Sequence, residues 1–188
     1  YLEEAMGISA IAERINAVRN MRLGSRDKGA NAMAARPHQF REMNVGSKHT
    51  IIIPSVSSEV REYLPVGIIN STSVVTNLAF ALYDAPVWCL ALIASKLHLN
   101  WVATVCGKLK TDYRYSNTLG WNTFPVPKLT EKNKIDLTHS AEDILIAREN
   151  HFPASIADLY DPEKMPSDLR RAHERNDEIL ERIYIGRR

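Results

Sequence analysis

His49-Thr-Ile-Ile-Ile-Pro54 decides the fold class: it is a β-branched run of strand length, closed by a proline that cannot donate to a ladder. It predicts a buried strand. Downstream, Tyr63–Ile69 and Ser73–Thr76 are also rich in β-branched residues, and Asn70-Ser-Thr72 between them is turn chemistry, so two further strands are predicted. Asp84 is then read as the N-cap of a helix with Pro86 in its first turn, running to about residue 99. The body of that helix, Val87-Trp-Cys-Leu-Ala-Leu-Ile93, is apolar nearly all round, which predicts a centrally packed helix.

Beyond this centre, residues 101–106 read as a short strand and Lys108–Tyr115 as a strand or extended ribbon. Trp121–Pro127 reads as an extended segment stopped by its prolines. On the N-terminal side, Leu2, Ile8, Ile11, Ile15 and Val18 predict an amphipathic helix over 2–22, and the Gly-, Ala- and Ser-rich 23–36 a flexible basic connector. On the C-terminal side, Ile135, Leu137, Ala141, Ile144 and Leu145 predict a helix over 130–149 with Thr130 as N-cap. A short turn at 156–160 and a last helix from Ser167, its expected N-cap, to Tyr184 complete the chain. The expected fold is α+β: a mixed β-sheet with packed helices (36–127), preceded by a helical spacer and connector (1–35) and followed by a helical segment (128–188).

With 188 residues, 45% hydrophobic and 24% charged, the chain has the composition of an ordinary globular protein. The longest apolar stretch, Ala85–Leu99, is interrupted by Lys96 and His98 and is too short to span a bilayer, so no membrane partner is expected. Cys89 and Cys106 have no ligand spacing and read as free thiols, consistent with a cytoplasmic protein. The first residue is Tyr rather than Met, so the chain is expected to be a piece of a longer one. Net charge is only +2, but residues 1–50 hold eight Lys/Arg against five Asp/Glu, and Lys108, Lys110 and Arg114 cluster.

Catalytic patterns are missing. There is no Gly-rich cofactor loop, phosphate-binding loop, GxSxG or HExxH, and no pair among the six histidines has i, i+4 spacing. An amino-methyltransferase needs a cofactor loop and an Asn/Asp-Pro-Pro-aromatic motif, and Asn122-Thr-Phe-Pro125 has the wrong order. No catalytic, cofactor-binding or metal-binding residue is therefore expected, and each histidine is expected to be a surface or partly packed residue. Trp88, Trp101, Phe124 and Tyr83 are expected in the core.

One segment carries a positive signal, Gly107-Lys-Leu-Lys-Thr-Asp-Tyr-Arg-Tyr-Ser116. In an extended chain residues two apart share a face, so Lys108, Lys110, Asp112 and Arg114 are expected in one row. Long donors and acceptors in a row suit the major groove, where Lys and Arg donate to guanine O6 and N7 and Asp accepts from cytosine N4. Ser116 and Asn117 are short polar groups suited to phosphate.

The chain resembles the C-terminal region of MmeI-like enzymes, single-chain adenine methyltransferases and restriction-modification proteins. The likeness rests on Arg36-Pro-His-Gln-Phe-Arg41, Lys48–Ser55, Arg61-Glu-Tyr-Leu-Pro-Val-Gly67, Tyr83-Asp-Ala-Pro86, Lys110–Ser116, Asn122-Thr-Phe-Pro125, Ala157–Pro162 and Met165–Arg170. Phe124-Pro-Val-Pro-Lys-Leu129 before a helix also looks like the end of a recognition domain in type I specificity subunits. The resemblance implies a target-recognition domain for double-stranded DNA, itself non-catalytic. It works in cis with a methyltransferase domain that uses S-adenosylmethionine and flips an adenine; some members also carry a nuclease. It implies base readout at Lys110, Asp112 and Arg114, with Lys110 and Asp112 reading one base pair. Arg41, Lys48, Arg61, Lys108, Ser116 and Asn117 are the expected backbone contacts. The alternative is a protein-interaction module, its terminal helices docking a partner subunit or the parent's methyltransferase domain. A basic surface around Lys110 and Asp112 favours DNA and an apolar patch a protein.

Overall fold

The computed structural model describes residues 2–186. The chain forms two compact units, Tyr1–Asn44 and Val45–Arg188.

The first unit is helical. The predicted single helix breaks at Gly7 into α1 (Leu2–Met6) and α2 (Ser9–Leu23), because Gly7 and an extended Ile8 interrupt the period. The segment expected to be a flexible connector is ordered instead. Asp27 caps a short helix, α3 (Lys28–Ala32), its carboxylate accepting from Gly29 N–H at 2.7 Å. Arg22 then donates to the carbonyls of Met33, Arg36 and Gln39 at 3.0, 2.9 and 2.8 Å. One guanidinium fork thus satisfies backbone acceptors that a loop would leave to water.

The second unit holds two small sheets and a layer of helices. β1 (His49–Pro54) is the predicted strand, with Ile51 and Ile53 buried on one side of the pleat. After Ser55 the chain enters β2 (Val56–Ser57). β3 is only Gly67–Asn70, shorter than predicted, and the predicted strand 73–76 is a loop. The strand that does follow, β4 (Ala79–Tyr83), alternates Phe80 and Leu82 toward the core, a signal overlooked behind the β-branched run before it. The order β3-β1-β4 is antiparallel throughout, with Ile51 opposite both Ile68 and Leu82. The expected mixed sheet is therefore corrected to antiparallel ones, while the α+β class holds.

Asp84 does not cap a helix. With φ +52 it turns its carboxylate back onto the N–H groups of Ser47, Lys48 and His49, at 2.8, 2.7 and 3.3 Å. Those donors hold its carboxyl well below the usual carboxylate range. Gly46, just ahead, is required by close approach: a Cβ there would lie 2.2 Å from the His49 carbonyl oxygen.

The central helix begins at Trp88 and is bent. α4 (Trp88–Ile93) ends where the buried Ser95 donates to Leu92 O at 2.7 Å and caps α5 (Lys96–Val105) by accepting from His98 N–H at 3.1 Å. The predicted strand 101–106 is thus the second half of α5. Leu99 and Val102, three apart, carry its buried face. The ribbon β5 (Lys108–Leu109) and β6 (Asp112–Arg114) follows, and β2-β6-β5 forms the second antiparallel sheet. Trp121–Thr123, expected to be extended, instead closes a wide π-type turn over Asn117–Trp121.

The C-terminal helices are α6 (Glu131–Glu149), capped by Thr130 as predicted, α7 (Ile156–Leu159) and α8 (Ser167–Ile185). Pro166 occupies the N-cap position of α8, one residue before the expected Ser167. Leu137, Ala141 and Ile144 of α6 pack with Leu169 and Leu180 of α8 against α4, whereas Ile135 faces outward. Two buried polar side chains fix this packing. Asn176 donates to Ala91 O and accepts from Ser140 Oγ, both at 2.8 Å. His173 lies 3.2 Å from Ala94 O through Nδ1 and 2.8 Å from the Tyr160 hydroxyl through Nε2, stacked on Tyr63 at 4.1 Å. Burial pushes the His173 pKa down to about 3, so the ring is neutral, with Nδ1–H donating and Nε2 accepting.

Candidate nucleic-acid interface

Tyr115 fixes where the ribbon sits. Its backbone N–H donates to Ser55 O at 2.9 Å, tying the end of β6 to the residue that joins the two sheets. Its ring is buried beside Phe80, and its hydroxyl lies 3.0 Å from His98 Nε2. His98 is fully buried, against the expectation of a surface or partly packed ring. Burial pushes its pKa down to about 4, and Nδ1 has no partner among the described residues. The histidine, flanked by Phe124 at 4.6 Å, is thus a neutral strut under the ribbon. Of the aromatics expected in the core, Phe124 is buried, Trp88 and Trp101 are half-buried, and Tyr83 is exposed.

After Tyr115 the chain is closed off by local caps. Ser116 Oγ accepts from Leu119 N–H at 3.2 Å, Asn117 Oδ1 from Thr118 N–H at 2.9 Å, and Asn122 N–H reaches Asn117 O at 2.9 Å. Gly120 allows the turn to press on the core, since a Cβ there would meet Cys106 Sγ at 3.2 Å.

The ribbon turns tightly. Lys110 and Thr111 form a two-residue turn between β5 and β6, with Lys110 at φ +58, a conformation uncommon outside glycine and asparagine. The expected row of four on one face is corrected by this turn, which resets the alternation. Cross-strand partners share a face, so Leu109, Asp112 and Arg114 line one side with Val56. Lys108, Tyr113 and the buried Ser57 line the other. Lys110 stands at the tip between them.

Electrostatics sort these side chains further. Lys108 Nζ is 3.9 Å from Glu59 Oε2 and 5.8 Å from the Tyr113 ring centroid. Asp112 Oδ1 accepts from the Glu59 backbone N–H at 3.3 Å. Lys110, Arg114, Arg61 and Lys48 form no side-chain hydrogen bond or ion pair among the described residues. Lys110, Arg114 and Lys48 are exposed and Arg61 half-buried, and cations without internal partners remain available for an external anion. The surface around the tip is mixed rather than purely basic, because Leu109 and Val56 are also exposed.

The expected backbone contacts are not all brought together. Lys108 is part of β5, Ser116 and Asn117 follow β6 in the chain, and Arg61 lies in the loop after β2. Lys48 stands at the opposite end of the six-residue β1, about 20 Å away at about 3.3 Å per residue. Arg41 lies in the first unit, 4.0 Å from both Asp27 and Glu42 carboxylates. Glu59, missed in the sequence, left no local signal there: it meets Asp112 across 53 residues of chain. Among the described residues no group of three or more His, Cys, Asp or Glu is placed to hold a metal, and no helix is long and apolar enough to cross a membrane.

Comparison with known proteins places this ribbon in context. Residues 1–128 match the family described as "MmeI, target recognition domain", and residues 129–188 match "MmeI, C-terminal domain". The chain is 42% identical over 174 residues to DNA methyltransferase A of Bacillus subtilis (strain 168), covering 93% of this chain and 20% of that protein. It also superimposes on the type IIL restriction-modification enzyme MmeI solved in complex with DNA. That match has a TM-score of 0.89 and 31% identity, and covers all of this chain and 25% of that one. The chain therefore spans about a fifth to a quarter of the length of these relatives.

Proposed function

Because the chain belongs to the MmeI family, through its target-recognition and C-terminal domains, we propose that it is the DNA-specificity region of a restriction-modification methyltransferase. The observation that carries this reading is the β5–β6 ribbon. It offers an unpaired Lys110 at its tip, and an acceptor, Asp112, beside an unpaired donor, Arg114, on one face. β2 pairs β6 only at Tyr113 and Arg114, so the end of the hairpin that carries Leu109–Asp112 is two strands wide, a width the major groove admits, and these groups match its donor and acceptor code. Lys110 donates to guanine O6 or N7 and Asp112 accepts from the paired cytosine N4. Lys108 on the ribbon and Ser116 and Asn117 after it serve as phosphate contacts, with Arg61, Lys48 and, in the first unit, Arg41 as further candidates.

In the longer protein a methyltransferase domain in cis holds S-adenosylmethionine and performs the transfer to adenine, and this region chooses the site. A groove of about 700 Å³ between α6 and α8 does not suit that cofactor. It is lined by charged side chains already paired with one another, Lys132 with Asp136 and Arg175 with Asp143, and no Gly-rich turn opens onto it. On this reading the region selects the site and leaves the chemistry to the methyltransferase domain.

Fluorescence anisotropy with a labelled duplex at two salt concentrations tests the reading. Each phosphate contact adds about 0.9 to the slope of log affinity against log salt, so two or more contacts give a slope of about −2 or steeper. Affinity that ignores salt would favour a protein-docking module instead.

A further inference from the structure

Glu59 touches both faces of the reading ribbon. Its carboxylate stands 3.9 Å from Lys108 Nζ on one face, and its backbone N–H donates to Asp112 Oδ1 at 3.3 Å on the other. Glu59 lies two residues past β2, where the strand that pairs β6 has ended and its N–H is free to meet a side chain. The donor is main chain, so it cannot rotate away and cannot change its hydrogen-bonding character.

We propose that Glu59 is a positioning residue for target specificity, its main-chain N–H fixing which oxygen of Asp112 is left to read the base. This rests on the assignment of Asp112 as a base-reading acceptor. A carboxylate on a free side chain samples several rotamers and presents either oxygen. Held at Oδ1, Asp112 presents Oδ2, which has no partner among the described residues, at a defined angle. Preorganising an acceptor in this way raises discrimination without adding a contact, because less rotamer freedom is lost on binding. The Glu59 carboxylate has a separate effect. It draws the Lys108 ammonium toward its own side of the ribbon and away from the face that carries Asp112.

The substitution Asp112→Asn separates the possibilities, because an amide has two unlike ends. If Glu59 N–H holds position Oδ1, the amide oxygen stays there and the NH2 group faces the base. An acceptor is then exchanged for a donor. Full-length protein is titrated against labelled duplexes carrying each of the four base pairs at every position of the site. The expected result for Asp112→Asn is a switch at one position, toward a base that offers an acceptor, by about tenfold over the original pair. Glu59→Gln, which retains the main-chain N–H, is expected to keep the wild-type preference. Loss of discrimination at that position without a switch would show an amide free to present either end, and would overturn the role of Glu59. An unchanged preference would overturn the reading of Asp112 itself.

Discussion

Replacing Tyr115 with Phe removes one hydroxyl from beneath the ribbon and leaves the shape of the core nearly unchanged. Among the described residues the hydroxyl is the only hydrogen-bond partner of the His98 ring, whose Nδ1 is already unpaired. His98 is fully buried, so water cannot replace the lost bond. The cost is therefore the desolvation of an orphaned polar atom, about 1–3 kcal/mol, rather than the smaller net value of an average hydrogen bond. Urea unfolding of the chain, followed by circular dichroism, would register a loss of this size as a midpoint lowered by roughly 1 M, with an unchanged slope. His98→Leu alone should also destabilise, by stranding the Tyr115 hydroxyl. The double variant should recover much of the loss, because replacing both partners by apolar groups of similar shape is nearly neutral. Strict additivity of the two single costs, or an unmoved midpoint for Tyr115→Phe, would refute the strut.

Two further outcomes follow from the buried polar groups. Asn176→Ala strands both Ala91 O and Ser140 Oγ and should cost about 2–4 kcal/mol in the same unfolding assay. His98 and His173 have folded pKa values near 4 and 3, below an unfolded value of about 6.5. Below pH 6.5 the unfolded chain therefore binds more protons than the folded one. Their contribution is fully present above that pH and is lost progressively as pH falls toward the folded values. Each histidine should add a slope approaching about 1.4 kcal/mol per pH unit to the stability curve between pH 6.5 and 5. The slope should shrink when His98 is replaced by Leu.

The sequence carried the α+β class and the outer helices, because those rest on period and caps. Thr130 and the apolar spacing of α6 are local signals, and so is the isoleucine run of β1. Misreadings arose where a side chain works at long range. Asp84 has the chemistry of a helix cap, but its partners are 35 to 37 residues earlier, at Ser47–His49. Residues 101–106 have strand-like composition, yet Ser95 starts a helical turn that carries through them. Residues 108–115 were legible as extended chain, but their alternation was not. A two-residue turn at Lys110 cannot be told from a continuing strand without a glycine or asparagine to mark the positive φ. Glu59 and His98 were invisible as supports because both act through tertiary contacts.

The central claim is that Lys110 and Asp112 read one G·C pair, and it is tested most directly by exchanging their character in the full-length protein. Lys110→Glu with Asp112→Arg places the acceptor at the turn and the donor on β6. Sites modified in a host expressing this double variant are then mapped by long-read sequencing. The account predicts that one position of the recognition sequence turns from G·C to C·G. A correct contact contributes about 1–3 kcal/mol of discrimination, so each single variant should lose activity on the original site. If the pair were only surface charge, it would contribute no more than about 1 kcal/mol. The double variant would then methylate the original sequence at an unchanged rate, and that result would contradict the account.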